Sequence, residues 1–184
     1  SGLISDSPVD LFVIITPIKI CPEKYYQEGI AIGCFEDKRS NDGELKAPYN
    51  YFGGLKAQQA LVQKGEYDEA LYVSNNQILE GTTFSFFIIK NDIVTTTKLD
   101  GRILGSVTRK NLLRLMDYYQ INHCESKITI EDLKTSSEAF IASANRDLIP
   151  VVSIDNHKIG DGIIGPKYKQ LMELYQKEIY NITI

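Results

Sequence analysis

The sequence predicts a single mixed α/β domain. Short β-branched runs alternate with stretches of helical periodicity, and Asn- or Gly-containing pairs stand between the runs where a chain turns. A length of 184 residues, 43% hydrophobic and 24% charged, matches one soluble core.

The elements read in order along the chain. Residues 10–16 (DLFVIIT) and 29–36 (GIAIGCFE) are apolar runs of strand character, with 1–9 as a disordered lead. The charged stretch 37–44, with Asn-Asp-Gly for turning, is a surface loop delivering the chain to Leu45-Lys46. A helical pattern runs from about Tyr49 to Lys64, with Gly65 placed as a C-terminal cap. EALYVS, an Asn75-Asn76 turn, QILE, TFSFFIIK, an Asn91-Asp92 turn and IVTTT then read as an antiparallel meander. Ser106 is a candidate N-cap for a helix over VTRKNLLRLMDYY, and Thr129 for the short EDLK helix. The runs EAFIAS and IPVVSI are strands, and Gly165-Pro166 opens a terminal helix with proline at its first position.

Composition excludes several functions. The net charge is −4 with Lys and Arg scattered, so nucleic acid is not an expected partner, and no apolar run is long enough for a membrane span. Cys21, Cys34 and Cys124 are an odd number at wide spacing, which argues against a disulfide framework and a cysteine-rich metal site. They fit a reducing cytoplasm, and no metal is expected. The first residues lack the basic and apolar regions of a secretory signal.

Among the chemistry-bearing residues, Lys46 has the most specific surroundings. A lysine is usually a solvated charge, but this one follows an apolar strand and loop and precedes aromatic residues (APYNYF) and a helix start. Burial there disfavours the ammonium form, and Schiff-base chemistry needs the neutral amine. Lys56 also sits in a Leu-Lys-Ala triplet, but inside the predicted helix. Tyr51 is equally a packing aromatic, Glu80 a solvated strand-end carboxylate, and Ser106 and Thr108 ordinary helix caps.

The order of the motifs changes those readings. Lys46-Ala47-Pro48-Tyr49-Asn50-Tyr51, then Ile78-Leu79-Glu80-Gly81, then Gly105-Ser106-Val107-Thr108-Arg109 resemble the class IV aminotransferases, which use pyridoxal 5'-phosphate, and especially their branched-chain members. Residues 139–144 with 149–151, and the stretch from Asp155 to Gly165-Pro166, continue the resemblance, so it covers about 44–180 and is weak over 10–43. It implies the C-terminal, cofactor-binding domain of fold type IV: a mixed, barrel-like sheet with surrounding helices. Family members carry a whole N-terminal domain upstream, with a phosphate-gripping arginine, and that domain is absent from this 184-residue sequence.

By resemblance, Lys46 carries the cofactor and shuttles the proton. Tyr51 hydrogen-bonds the phenolic oxygen, and Glu80 faces the pyridine nitrogen and keeps it protonated. The Val107 and Thr108 backbone N–H groups and the Thr108 hydroxyl hold the phosphate, while Arg109 is structural or a supporting charge. The turn at Ser143 and Ala144 stands where a family threonine lies near the phosphate or the substrate carboxylate; Ser143 or Asn145 is its candidate replacement. Two departures are Ala144 itself and Ser85, which replaces an asparagine five residues after the glutamate. The glycine of the phosphate turn is displaced by one, to Gly105.

The implied activity is transfer of an amino group between an amino acid, a branched-chain one by the Lys-Ala-x-x-Asn-Tyr segment, and a 2-oxo acid, in a homodimer. D-amino-acid aminotransferase and aminodeoxychorismate lyase share the fold and stand as alternatives. The contrasting reading is a catalytically inactive fragment or degenerate relative. This chain alone is expected to fold, to bind cofactor weakly and to be inactive.

Overall fold

The computed structural model describes residues 11–37 and 43–180; the expected lead at 1–9 and the Asn41-Asp42 pair lie outside them. Ten strands make one mixed sheet: β1 (Ile30–Glu36), β2 (Glu69–Ser74), β3 (Gln77–Gly81), β4 (Ser85–Lys90), β5 (Ile93–Thr97), β6 (His123–Ser126), β7 (Ile128–Thr129), β8 (Glu138–Ser143), β9 (Asp147–Ile154) and β10 (His157–Lys158). Their order is β6-β5-β4-β8-β9-β1-β2-β3-β7, with β10 paired to β9. The path bends nearly into a barrel. At its seam the Thr97 hydroxyl donates to the Ile78 carbonyl at 3.2 Å, joining β5 to β3.

Strands β2, β3, β4 and β8 are buried on both faces, which explains why they read as continuous apolar runs and not as alternating ones. Ile32, Val73, Ile78, Phe86, Ile88 and Ile141 fill one face. On the other, Phe87 stacks on Phe140 with ring centroids 4.8 Å apart, under two helices, α3 (Val107–Tyr118) and α5 (Pro166–Tyr180). Leu112, Leu115 and Met116 of α3 pack there, and this fixes where the helix points its N-terminus. Among the described residues no helix is long and apolar enough to cross a membrane.

The predicted helix over about 49–64 is a composite: a 3-10 turn at Pro48–Asn50, the α-helix α2 (Tyr51–Ala57) and a π turn at Gln58–Val62, stopped by Gly65 at φ +72°. The polar stretch after Pro22 forms the short helix α1 (Glu23–Glu28). Thr129 opens α4 (Ile130–Thr135) with a reciprocal capping box to Asp132. The Asn75-Asn76 and Asn91-Asp92 turns have the paired positive φ that two-residue hairpins need.

Two expectations are corrected. Residues 11–16 of the run 10–16 form no strand; they pair with nothing among the described residues, and Ile15 is 92% exposed. Strand propensity expresses fit to a pleated, half-buried surface, and both sides of β1, the strand that follows, are already taken by β2 and β9. The meander over 69–97 is instead two separated hairpins. Gly81 N–H donates to the Phe84 carbonyl at 2.9 Å, turning the chain out of β3, and β4 then pairs with β8.

Candidate active site

A cavity of about 500 Å³ opens at one end of the sheet, where β3 and β8 finish and β4 begins. The sequence-predicted Lys46, Tyr51, Glu80, Val107, Thr108, Ser143 and Ala144 all line it. Residues 98 apart in sequence thus meet around one space. Lys56 does not; it lies in α2 over the Phe52 ring, 4.6 Å from its centroid.

Lys46 stands in the loop ahead of α2. Asn50 holds that loop by donating its side-chain amide to the Leu45 carbonyl at 2.7 Å, and Glu44 N–H donates to the Gly101 carbonyl at 3.1 Å. The motif asparagine therefore has a local physical use: it closes the turn that carries the lysine. The buried context expected for Lys46 is not found. The residue is exposed, and so are its neighbours Leu45 and Tyr49, so the described residues supply no apolar cover over the amine. Tyr51, the first residue of α2, is 47% exposed at the cavity rim.

Glu80 arrives at the end of β3 and is 8% exposed. Its Oε2 accepts from Leu104 N–H at 3.1 Å, which fixes the carboxylate while it lines the cavity. The following Gly81 is required sterically. A Cβ there would stand 2.0 Å from the Phe84 ring, so the Glu-Gly pair and the ring form one packed unit. Gly105 has no such need, since a Cβ there would make only ordinary contact with Leu99. The displaced glycine is thus sterically free.

At the N-terminus of α3 the Ser106 hydroxyl accepts from Arg109 N–H at 3.2 Å, and its carbonyl accepts from Lys110 N–H at 3.0 Å. Val107 and Thr108 have no preceding helical carbonyl to bond, so their N–H groups stand at the positive end of the helix on the cavity. Arg109 does not line the cavity. It is buried beneath it, donating to the Thr97 carbonyl at 2.9 Å and pairing with Glu125.

Several lining residues carried no site assignment in the sequence reading. Thr82, Thr83 and Phe84 follow the Glu-Gly pair, and Ser85 and Ser106 join across the cavity with hydroxyl oxygens 3.0 Å apart. Arg146 supports this wall from behind. It pairs with Glu69, donates to Thr83 Oγ1 at 3.1 Å and to Ser143 Oγ at 3.4 Å. Gln58, in the π turn, donates to both Glu69 and Thr82 at 3.1 Å. The only signal available for these was the run of small hydroxyl residues after Gly81. Ser143 donates its hydrogen to Asn145 Oδ1 at 3.1 Å, so the hydroxyl expected to replace the family threonine is engaged within its own turn.

A lysine, a strand-end carboxylate and a helix N-terminus thus stand around one cavity. The family model for amino-transferase class IV matches residues 3–154, and the chain belongs to that family. D-alanine aminotransferase of Bacillus licheniformis is 30% identical over 165 residues, 88% of this chain and 56% of that protein. The D-alanine aminotransferase of Staphylococcus haemolyticus is 30% identical over 153 residues, 83% of this chain and 54% of that protein. Among solved structures, the branched-chain amino acid aminotransferase of Escherichia coli superposes with a TM-score of 0.78 at 23% identity, covering 88% of this chain and 53% of that one. The holo-form enzyme of Thermobaculum terrenum, solved with pyridoxal phosphate, gives 0.74 at 23%, covering 84% and 52%. These structures share the fold. The chain spans about half the length of the relatives it matches.

Proposed function

We propose that this chain is the cofactor-binding part of a pyridoxal-phosphate-dependent aminotransferase, exchanging an amino group between an amino acid and a 2-oxo acid. The observation that carries the proposal is the convergence of Lys46, Glu80 and the α3 N-terminus on one cavity.

The residues fit the cofactor. The cavity accommodates a phosphorylated pyridine in volume, and its donors and acceptors sit at separate places on its wall. Val107 and Thr108 N–H would take the phosphate, Glu80 would face the ring nitrogen, Tyr51 the phenolic oxygen, and Lys46 Nζ the aldehyde carbon. When bound, the cofactor supplies a conjugated electron sink. Glu80 would keep the ring nitrogen protonated, since a carboxylate beside it favours the charged form. Lys46 Nζ would be the base that takes and returns the proton of the substrate α-carbon. Ser143, Ala144 and Asn145 also line the cavity and would face the substrate.

The branched-chain preference rests on Lys46-Ala47-Pro48-Tyr49-Asn50-Tyr51. A second reading, transfer from a D-amino acid, is favoured by the D-alanine aminotransferases among the relatives. The assembly is proposed as a homodimer, on the exposed Leu45, Tyr49, Phe52 and Leu55 beside the cavity mouth, and its compartment as the cytoplasm, on three free thiols.

The test is borohydride reduction of the full-length protein with pyridoxal phosphate, followed by peptide mapping. A label on Lys46 is expected; a label on Lys56, or none, refutes the assignment. Glu80→Gln is expected to keep cofactor affinity within a few-fold while slowing transamination about 100-fold or more, the scale of a lost charge-assisted interaction. Wild-type turnover in that variant would make the carboxylate structural. Turnover with leucine against D-alanine then separates the two substrate readings.

A further inference from the structure

The phosphate end of this cavity holds a hydroxyl pair to which no role has yet been given. Ser85 begins β4, is 4% exposed and lines the cavity; Ser106 ends the loop ahead of α3 and lines it too. Their oxygens are 3.0 Å apart. Two hydroxyls bring two hydrogens, and their mutual bond uses one, whichever is the donor. Ser106 Oγ already accepts from Arg109 N–H, and neither hydroxyl has a further protein acceptor among the described residues. One hydrogen is therefore left over at the pair, next to the N–H groups of Val107 and Thr108. Ser143, another hydroxyl of the wall, donates its hydrogen to Asn145.

We propose that Ser106 donates this hydrogen to the phosphate of the bound cofactor, and that Ser85 is a positioning residue that sets the Ser106 hydroxyl for it. The inference rests on the cofactor reading above. Ser85, one departure of this sequence from the family pattern, faces Ser106, which stands next to the displaced Gly105. The site thus gains a side-chain donor beside its backbone donors. A hydroxyl donating to a phosphate oxygen makes a charge-assisted bond, stronger than one between neutral groups.

The experiment measures dissociation constants of the full-length protein for pyridoxal phosphate and for pyridoxal, which lacks the phosphate, by absorbance titration. Melting temperature is followed in parallel. Ser106→Asp keeps a good N-cap but sets a negative charge against the phosphate, so phosphate-dependent affinity is expected to fall about 100-fold with melting nearly unchanged. Ser85→Ala leaves the cap in place and is expected to weaken pyridoxal phosphate about tenfold. Ser85→Thr, which restores a hydroxyl, is expected to recover most of that loss. Pyridoxal affinity should not move in any variant.

Equal weakening for both ligands would mean a structural role and would overturn the inference, as would unchanged pyridoxal phosphate affinity in Ser106→Asp and Ser85→Ala. Failure of the parent protein to bind either ligand would instead overturn the cofactor reading, and the inference with it.

Discussion

The N-termini of α3 and α5 solve the same electrostatic problem in opposite ways. At α5 the buried Glu138 places Oε1 on Lys167 N–H at 3.0 Å and Oε2 on Tyr168 N–H at 2.8 Å, so a carboxylate from β8 completes the positive helix end. The shorter α4 does likewise through Asp132, whose carboxylate answers the Thr129 backbone. In α3 the first turn has no acidic residue, and its cap is the uncharged Ser106. Of α3, α4 and α5, the helix with its end on the cavity is thus the one with no carboxylate of the described residues upon it. A helix end carries about half a positive charge, and a carboxylate placed there would repel an incoming anion. On the proposed function, the difference separates termini that serve stability from one that would receive an anion.

The largest effect that can break this comparison lies at α5. Glu138→Ala strips a buried acceptor from two N–H groups and should cost about 3 kcal/mol of stability in urea unfolding, with pyridoxal phosphate affinity unchanged. If affinity falls as well, the two ends are not independent.

A smaller effect sharpens it at α4. Thr129→Ala removes a capping hydroxyl and should cost about 1 kcal/mol. The Thr129 side chain, followed by its backbone N–H, holds the Asp132 carboxyl below its ordinary value. Because the folded value is the lower one, Asp132 adds stability above the unfolded carboxylate value of about 4, and that stability is lost as pH falls through the folded value. Acid unfolding followed from pH 5 downward should be shallower in Thr129→Ala. An equally steep profile would show that the capping box is not its source.

Local features were the ones legible in the sequence. β2 and β8 coincide with the runs EALYVS and EAFIAS, because β-branched and aromatic residues bounded by turn residues leave little freedom. The Asn75-Asn76 pair identified its hairpin, since asparagine tolerates positive φ. The Ser106 and Thr129 caps were legible for the same local reason. What was not legible depends on distant partners. Nothing near residues 11–16 records that β1 already has strands on both sides. The exposure of Lys46 depends on what covers the cavity mouth, and the Arg146–Glu69 support joins positions 77 apart. Motif order brought the site residues together, while the Ser85–Ser106 contact became visible only in three dimensions.

The placement of β1 also constrains how the chain can reach this fold. Four neighbouring strand pairs are linked by short turns and can close within microseconds. β1 instead lies parallel between β9 and β2, with Ile30 opposite Val151 and Ile32 opposite Glu69. Its docking must wait until a segment from the far end of the chain has been ordered, so the entropy of closing a very long loop falls on a single step. Capture of this one strand is expected to be the slow step of refolding, and until then the edges of β2 and β9 that it covers stay open to pairing with other molecules.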